Sequence, residues 1–427
     1  MNLDQNRYDI RLKSHHASRE NYKYLIKGNK TLGKQLHEKY NKNKRDVIYV
    51  HIPFCSKICT FCNMRRSLIT PPSSYSDLIV QQIKKYSEFQ YIQDSKYDAI
   101  YFGGGTPTTL DTDDLQEILK AIKTYLPLTE NAEITIETSI TDLTKEKMDM
   151  FFEEGVNRFS IGIQTFSENG RKLLGRIGNK ENAINKINTL KNIGFSNISL
   201  DIIYNYPNQS MLEAKEDIQT VMDLNLAGFS FYSLILNEKS VLRNKLENPS
   251  SYYRDNFEKE KTFFNIIVEK ALSNEHEFLE LTKIVRPGRD KYKYILRRYE
   301  GGDTLPLGAG AGGYIGNTMI NNSLSIEKFK AELEDMPNKI GIEVNANYDL
   351  IHYLIGQVQM GKIDTNLLEK TLPHTKVDNF LKEMKEEGMV EKKDSEYVLT
   401  TKGLFWGNNI SNELSNTIIE ELYMKAI

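Results

Sequence analysis

Cysteine is scarce in this chain of 427 residues, which contains only three. All of them, Cys55, Cys59 and Cys62, lie within eight consecutive residues. An odd number of such closely spaced cysteines does not suit a disulfide framework and is more typical of metal chemistry in a reducing compartment. The composition therefore excludes a disulfide-stabilised secreted domain.

Long hydrophobic runs and a strong charge of one sign are also missing. No stretch approaches the ~20 apolar residues that a membrane-spanning helix needs, and residues 1–16 lack the apolar segment of a signal peptide. The formal net charge is −2, which argues against a general nucleic-acid or membrane-surface binder. We therefore expect a cytoplasmic protein with no nucleic-acid partner and no membrane span.

Short β-rich segments alternate with amphipathic helical segments through the first half of the chain. This alternation predicts a parallel sheet with helices on its outer face. Six strand–helix units are too few to close an eight-stranded barrel, so we predict an α/β fold with a partial (β/α)6 barrel. Functional residues should then lie at the C-terminal ends of the strands. The predicted strands cover 47–52, 97–102, 133–138, 158–163, 197–203 and 228–234.

The remaining segments suggest four regions. We predict an N-terminal arm at 1–45 with some helical character, the partial barrel at 46–285, a substrate-cleft connecting region at 286–340 and a winged-helix-like domain at 341–427. The last assignment follows from two helical segments and a two-stranded wing. Its candidate recognition helix, residues 376–387, is not basic, which argues against DNA binding.

The cysteine spacing is C-x3-C-x2-C, and thiolates at these distances can converge on one soft metal centre. A closed zinc site would need a fourth ligand, which His51 could supply. Alternatively, a four-iron cluster held by three thiolates has one iron without a protein ligand. An open iron is a place for chemistry, and we favour this second interpretation.

Polar and glycine residues mark the ends of the next predicted strands. Gly103, Gly104 and Gly105 end the second strand, where they either form a plain turn or let backbone amides approach a ligand. Asp201 lies within an otherwise apolar strand, and a carboxylate there is costly unless it is paired. We therefore expect Asp201 to have a ligand-binding or catalytic role.

These segments together resemble the radical S-adenosylmethionine (SAM) enzymes, in the branch typified by oxygen-independent coproporphyrinogen oxidase and including the class C methyltransferases. The resemblance implies a [4Fe-4S] cluster on Cys55, Cys59 and Cys62, with SAM on the open iron. It also implies an electron donor such as flavodoxin or ferredoxin. The matched segments, within residues 49–236, are "YVHIPFCSKICTFC", "YFGGGTPTTL", "IETS", "RFSIGIQTF", "GRIGNKENA", "DIIYNYP" and "FSFYSLIL".

The resemblance further implies that two SAM molecules bind side by side. In class C methyltransferases one SAM yields a radical that takes hydrogen from the methyl group of the other, and the resulting methylene adds to an sp2 carbon. Gln164 and Asp201 are the predicted catalytic residues. The matched cofactor-binding residues are Tyr49, Phe61, Gly103, Gly104, Gly105, Thr106, Glu137, Gln164, Arg176 and Asp201.

Two stretches bear on the substrate. The segment "LPLGAGAGGYIGN" at 305–317 is most similar to the anaerobilin synthases, which implies haem opening to a linear tetrapyrrole with release of iron. The cations and tyrosines of 286–298 would suit a planar substrate with propionates near the barrel mouth, although a solvated basic helix explains them equally well. His15 and His16 are candidate haem ligands. The alternatives are a coproporphyrinogen III oxidase or dehydrogenase, a methyltransferase for another aromatic substrate, and a haem-binding chaperone.

One motif departs from the family pattern. Asn205 and Asn208 stand where glycines are common. We therefore expect the turn after the fifth predicted strand to differ in shape.

Overall fold

A computed structural model describes residues 8–13, 20–41, 43–62, 64–364 and 375–423. The strands of this part of the chain are β1 (Ile26–Thr31), β2 (Asp46–Ile52), β3 (Tyr97–Gly104), β4 (Leu128–Thr138), β5 (Arg158–Gln164), β6 (Ile198–Tyr204), β7 (Gly228–Ser233), β8 (Glu277–Glu280), β9 (Lys283–Val285), β10 (Thr304–Leu307), β11 (Gly312–Ile315), β12 (Thr318–Asn321), β13 (Ile340–Val344), β14 (Lys362–Asp364), β15 (Val390–Lys393) and β16 (Glu396–Leu399).

The α-helices of the described residues are α1 (Leu32–Leu36), α2 (Tyr75–Ser87), α3 (Gln90–Gln93), α4 (Thr112–Tyr125), α5 (Lys145–Glu153), α6 (Glu168–Leu174), α7 (Lys180–Ile193), α8 (Met211–Asp223), α9 (Tyr252–Asp255), α10 (Phe257–Leu272), α11 (Lys293–Tyr299), α12 (Ile326–Glu334), α13 (Ala346–Gln359), α14 (Thr375–Glu386) and α15 (Thr401–Tyr423). Short 3-10 helices occupy Glu20–Leu25, Pro107–Thr109, Arg243–Lys245 and Met336–Asn338. Within the described residues, no helix is long and apolar enough to cross a membrane.

One large sheet of thirteen strands forms the centre of the molecule, in the order β1-β13-β12-β11-β10-β2-β3-β4-β5-β6-β7-β9-β8. The strands from β10 to β7 in this order run parallel to one another. The helices α2, α4, α5, α7 and α8 lie in the connections between them. The predicted α/β fold with an open, partial barrel is therefore confirmed, and the six predicted strands correspond to β2–β7.

The parallel run has a seventh strand that the sequence did not indicate. Thr304–Leu307 pairs in parallel with Val47–Val50 of β2, although none of the predicted strands covers it. The strand has only four residues, all buried, so it shows neither the length nor the alternation of a typical strand. Its position is instead decided by pairing with a strand far away in the sequence.

The N-terminal arm also differs from its prediction. Within the segment expected to be helical, Ile26–Thr31 is the edge strand β1, which pairs antiparallel with β13. Pairing with a partner strand overrides local propensity there. The strands of 286–340 extend the same large sheet as the barrel strands. The limits of the four regions at 45, 285 and 340 stay a prediction.

The C-terminal part has a small sheet of its own, in the order β14-β16-β15. The β15–β16 hairpin is the predicted wing, and α14 precedes it. Phe405 and Trp406 on α15 are buried, and the ring of Trp406 lies 5.1 Å from the ring of Tyr8, centroid to centroid. The start of the described chain therefore packs against its last helix.

Candidate active site

The three cysteines lie in the loop that follows β2. They are free thiols of intermediate burial, and the loop is compact because the Cys62 amide donates to the Cys59 carbonyl at 3.2 Å. The amide of Cys55 donates to the carbonyl of Ser67 at 3.0 Å, which closes the loop at its other end. All three cysteines line one cavity of about 140 Å³.

His51 supports this loop from the end of β2. Its Nε2 lies 3.1 Å from the carbonyl oxygen of Arg65, and its Nδ1 lies 2.9 Å from the hydroxyl of Tyr49. Burial lowers the pKa of His51, so the ring is neutral at physiological pH. Because both ring nitrogens have hydrogen-bond partners, His51 acts here as a support of the loop. In the described part of the chain, no three His, Cys, Asp or Glu side chains are spaced to hold a single metal ion.

The three glycines at the end of β3 allow close packing against this loop. Gly104 has φ +112°, and a Cβ there would lie 2.6 Å from Cε1 of His51. Gly105 and Thr106 line the cysteine cavity together with Gly104. Gly103 is not among the residues that line it, because it faces the carboxylate of Glu137, whose Oε2 would lie 2.7 Å from an added Cβ.

Two acids face the cavity from neighbouring strands. Glu137 near the end of β4 and Asp201 in β6 both line it. Burial, together with the nearby charge of Asp201, raises the pKa of Glu137 to about 8. The hydroxyl of Ser160 donates to Asp201 Oδ2 at 3.3 Å. At neutral pH the Glu137 carboxyl therefore holds its proton.

Gln164 closes β5 in an unusual backbone conformation. Its φ is +72°, in the left-handed region that non-glycine residues rarely adopt and that clusters at functional sites. Its register with β6 shifts between Gly162 and Gln164. Asp217 holds the next residues in place, accepting from the Thr165 hydroxyl at 2.6 Å and from the Phe166 amide at 2.7 Å. The strand end is thus shaped to present Gln164 to the cavity.

A second cavity of about 540 Å³ adjoins the first. Tyrosines dominate its aromatic lining, namely Tyr49, Tyr101, Tyr232, Tyr292 and Tyr294. The two cavities have part of their walls in common, so a molecule in one would lie next to a molecule in the other. The residues that line both cavities are Phe61, Cys62, Met64, Glu137, Gln164 and Asp201.

Comparison with known proteins identifies the arrangement. Residues 49–221 match the model of the Radical SAM superfamily. The chain is 32% identical over 286 residues to the heme chaperone HemW of Lactococcus lactis subsp. lactis (strain IL1403), which covers 65% of this chain and 72% of the relative. The chain belongs to the radical SAM superfamily. It is also 28% identical to the anaerobilin synthase of Escherichia coli O157:H7, over 90% of this chain and 86% of that relative.

The solved structure of coproporphyrinogen III oxidase (HemN) from Escherichia coli, a radical SAM enzyme, superimposes with a TM-score of 0.74. The two share 21% sequence identity and are covered to 90% and 92% respectively. This similarity shows that the fold is that of the radical SAM enzyme HemN. Membership of the superfamily implies a [4Fe-4S] cluster and SAM.

The residues around the cysteines fit such a cluster. Arg176 Nη1 donates to the sulfur of Cys59 at 3.1 Å, and the hydroxyl of Thr106 lies 3.7 Å from the sulfur of Cys55. Donors directed at the thiols are suited to the negative sulfurs of a radical SAM cluster, whose potential such bonds help to set. The three cysteines with these donors can therefore hold the cluster.

The same cavity also fits SAM, which carries a cation, a carboxylate, ribose hydroxyls and an adenine. Nε of Arg176 is buried without a partner among the described residues, while its Nη2 bonds the carbonyl of Gly162. Glu137 and Asp201 offer acceptors, and Phe61 offers an aromatic face. Of the predicted contacts, Tyr49 lies in the larger cavity only, and Gly103 lines neither.

The basic segment 286–298 lies only partly where the sequence predicts it. Lys293 and Arg297 bond Asp98 at 3.2 and 2.8 Å, and Asp98 stands at the start of β3 rather than at its C-terminal end. Lys293 and Arg297 are therefore not at the C-terminal ends of the strands, whereas Arg298 of the same segment lines the larger cavity. Asp290 of the same segment forms a buried ion pair with Arg158, the first residue of β5. This pair fixes the segment at the N-terminal end of that strand. Tyr292, Tyr294 and Arg298 line the larger cavity, in keeping with the prediction that aromatic and cationic residues of this segment suit a planar substrate.

The asparagines after β6 keep the backbone conformation that glycine favours. Asn205 has φ +58° and Asn208 has φ +61°, and asparagine is among the few residues that tolerate this region. The expected change in the shape of this turn therefore has no support in its backbone conformation.

Proposed function

We propose that this protein is a radical SAM class C methyltransferase that opens the haem ring without oxygen, using two SAM molecules and releasing iron and a linear tetrapyrrole. The observation that carries the proposal is the pair of adjoining cavities. Their common wall contains a cluster-binding cysteine, two acids and Gln164. Such a wall suits a reaction in which a group activated beside the cluster acts on a second molecule in contact with it.

In this proposal the smaller cavity holds the first SAM. The cluster, when bound, would supply the electron that cleaves it. Arg176 would bind its carboxylate as a planar fork, Glu137 would accept its ribose hydroxyls, and Phe61 would lie against its adenine. Gly104 and Gly105, with Thr106, would bring backbone groups close to it.

The second SAM would lie at the common wall. Asp201 and Gln164 reach both cavities, so we propose that they position its methyl group between the cluster side and the substrate side. Tyr49, which lines only the larger cavity, would contact this second molecule. Flavodoxin or ferredoxin is proposed as the electron donor.

The larger cavity would take the planar substrate. Its volume of about 540 Å³ is in the range of ligand pockets, and its tyrosine faces suit a flat aromatic molecule. Haem is favoured because the similarity to an anaerobilin synthase extends over 90% of this chain. His15 and His16, the candidate haem ligands, lie outside the described residues.

A haem chaperone is the second candidate, because a heme chaperone is 32% identical to this chain. The two functions separate in one anaerobic assay. The protein is reconstituted with iron and sulfide, then given SAM, a reductant and haem, and the Soret band is followed. Loss of this band together with 5′-deoxyadenosine and S-adenosylhomocysteine supports the methyltransferase. A stable haem spectrum without these products supports the chaperone.

Coproporphyrinogen III replaces haem in a parallel assay, where carbon dioxide release with 5′-deoxyadenosine would instead support a coproporphyrinogen oxidase. The variant Cys59→Ala tests the cluster in either enzyme. It should lose iron, sulfide and all product formation, because only two thiolates would remain. A variant that is still active would refute the assignment of the cluster to these cysteines.

A further inference from the structure

The larger cavity contains two cations, and one of them already has partners. Nζ of Lys283 donates to the hydroxyl of Ser199 at 2.5 Å and lies 3.5 Å from Oδ2 of Asp290. Its side chain is buried. The charge of Lys283 is thus balanced by Asp290, which itself lines neither cavity. Lys283 is therefore poorly placed to bind a further anion.

Arg298 differs from Lys283 in each of these respects. Its side chain is exposed and lines the cavity, with Cζ 5.4 Å from the ring centroid of Tyr294. No Asp or Glu of the described residues lies within ion-pair distance of it. Tyr294 has the largest effect on the pKa of Arg298 and raises it, although burial acts in the opposite direction. A guanidinium that faces an aromatic cavity and has no acid within ion-pair distance is a position that an anionic ligand would stabilise.

The neighbouring residue shows what a purely structural arginine looks like on this helix. Arg297 bonds Asp98 Oδ2 at 2.8 Å and Glu300 Oε2 at 2.8 Å. The charge of Arg297 is therefore balanced by these two acids, and Arg297 lines neither cavity. The two arginines thus form a matched pair with opposite surroundings.

We propose that Arg298 is the specificity residue that recognises a carboxylate of the planar substrate in the larger cavity. The planar guanidinium fork binds a carboxylate through two parallel hydrogen bonds, and the tyrosines beside it accept the flat body of the same molecule. This proposal rests on the proposed function, in which the substrate is a porphyrin that carries propionates. It adds that the propionate is selected by its charge.

The test measures binding without turnover. Reconstituted protein, with neither SAM nor reductant, is titrated with haem and with haem dimethyl ester, and the shift of the Soret band gives each Kd. A charge-assisted bidentate contact corresponds to about 10–100-fold in affinity. We expect wild type to bind haem tighter than the ester by this factor, and Arg298→Met to lose this preference.

Two variants control for packing. Arg298→Lys keeps the charge and should retain part of the preference for the free acid. Arg297→Met changes the adjacent arginine and should keep the whole preference. If Arg298→Met weakens haem and ester equally, the residue only shapes the cavity, and the proposal is overturned. It is also overturned if wild type binds neither molecule or binds both alike.

The proposed function can fail separately. If haem stays intact with SAM and reductant present while the acid-to-ester preference still depends on Arg298, the carboxylate site stands and the ring-opening activity does not. If haem is opened while the preference is absent, the activity stands and the role of Arg298 is refuted.

Discussion

Replacing Asp290 by Asn should destabilise the protein strongly, because it removes the counter-ion of a buried arginine. Arg158 is 1% exposed, and its Nε and Nη2 donate to the two carboxylate oxygens of Asp290 at 2.9 and 3.0 Å. Burial favours the neutral acid, but the charges of Arg158 and Lys283 hold the pKa of Asp290 well below its ordinary range. The wild-type carboxylate is therefore charged at any pH used for the assay.

The magnitude follows from what remains after the change. Breaking a buried pair by removing one charge costs about 3–5 kcal/mol, since the other charge stays buried without compensation. Asn keeps the size of Asp and an oxygen that can still accept from the Tyr292 amide, which donates to Oδ1 at 3.0 Å. The variant thus tests the charge and leaves the packing in place.

Urea unfolding followed by circular dichroism measures the effect as a change in midpoint at constant slope. Asp149→Asn is the control, because its pair with Lys145 is exposed and such pairs contribute about 0–1 kcal/mol. Lys283 also pairs with Asp290 at 3.5 Å, so the rescue must replace all three charges. The triple variant Arg158→Met, Lys283→Met, Asp290→Leu should recover most of the loss, since apolar replacement of a buried pair or triad is often neutral. If Asp290→Asn lowers the free energy of unfolding no more than Asp149→Asn does, the buried pair of Arg158 and Asp290 does not stabilise the fold.

Three further changes test the frame of the site. Gly104→Ala forces a Cβ against His51 at 2.6 Å with φ +112° and should lower the iron bound per chain after reconstitution. Gly155→Ala, with φ +76° and open space around it, should cost only about 1–2 kcal/mol and leave the iron content unchanged. Burial raises the pKa of Asp217 to about 6, whereas an Asp in the unfolded chain has a pKa of about 4. Between these two pH values the folded state therefore keeps a proton on Asp217 that the unfolded chain has lost. As the pH rises from 4 to 6, the unfolding free energy of the wild type should therefore fall by up to about 3 kcal/mol relative to that of Asp217→Asn, as measured in urea titrations. A difference between the two proteins that does not change with pH would contradict this. Asn205→Ala should unfold at lower urea than Asn205→Gly, by about 1 kcal/mol, because only glycine adopts φ +58° without strain; equal midpoints would show that the turn relaxes.

Features that depend on neighbouring residues were predictable from the sequence. The cysteine loop, the glycines after β3 and Gln164 at the end of β5 all lie beside their strand in the chain, so a motif and a strand end are enough to place them. Strand β10 was not predictable in this way. Its contact with Val47–Val50 is a tertiary pairing, and no local pattern in four buried residues records it.

The tyrosine lining of the larger cavity was predictable only in part: the tyrosines of 286–298 were expected near a planar substrate, but their partners on the strands were not. Tyr49 and Tyr101 lie opposite each other on β2 and β3, and Tyr294 reaches them from α11 with its ring 4.8 Å from that of Tyr101. An available signal was the tyrosine in the middle of each of two apolar strands, which alternation places on one face. The contribution of α11 depended on the buried bond between Arg158 and Asp290, which joins distant segments.

The pairing of β2 with β10 has a consequence for how the protein matures. The strand that carries the cysteine loop is flanked on one side by residues that leave the ribosome much later: the amide of Asp303 bonds the carboxylate of Asp46 across 257 residues. At ribosomal speed this separation corresponds to roughly 13–51 seconds. During that interval the thiols precede their finished scaffold, so we expect the loop to retain iron and sulfide only after most of the chain has been synthesised.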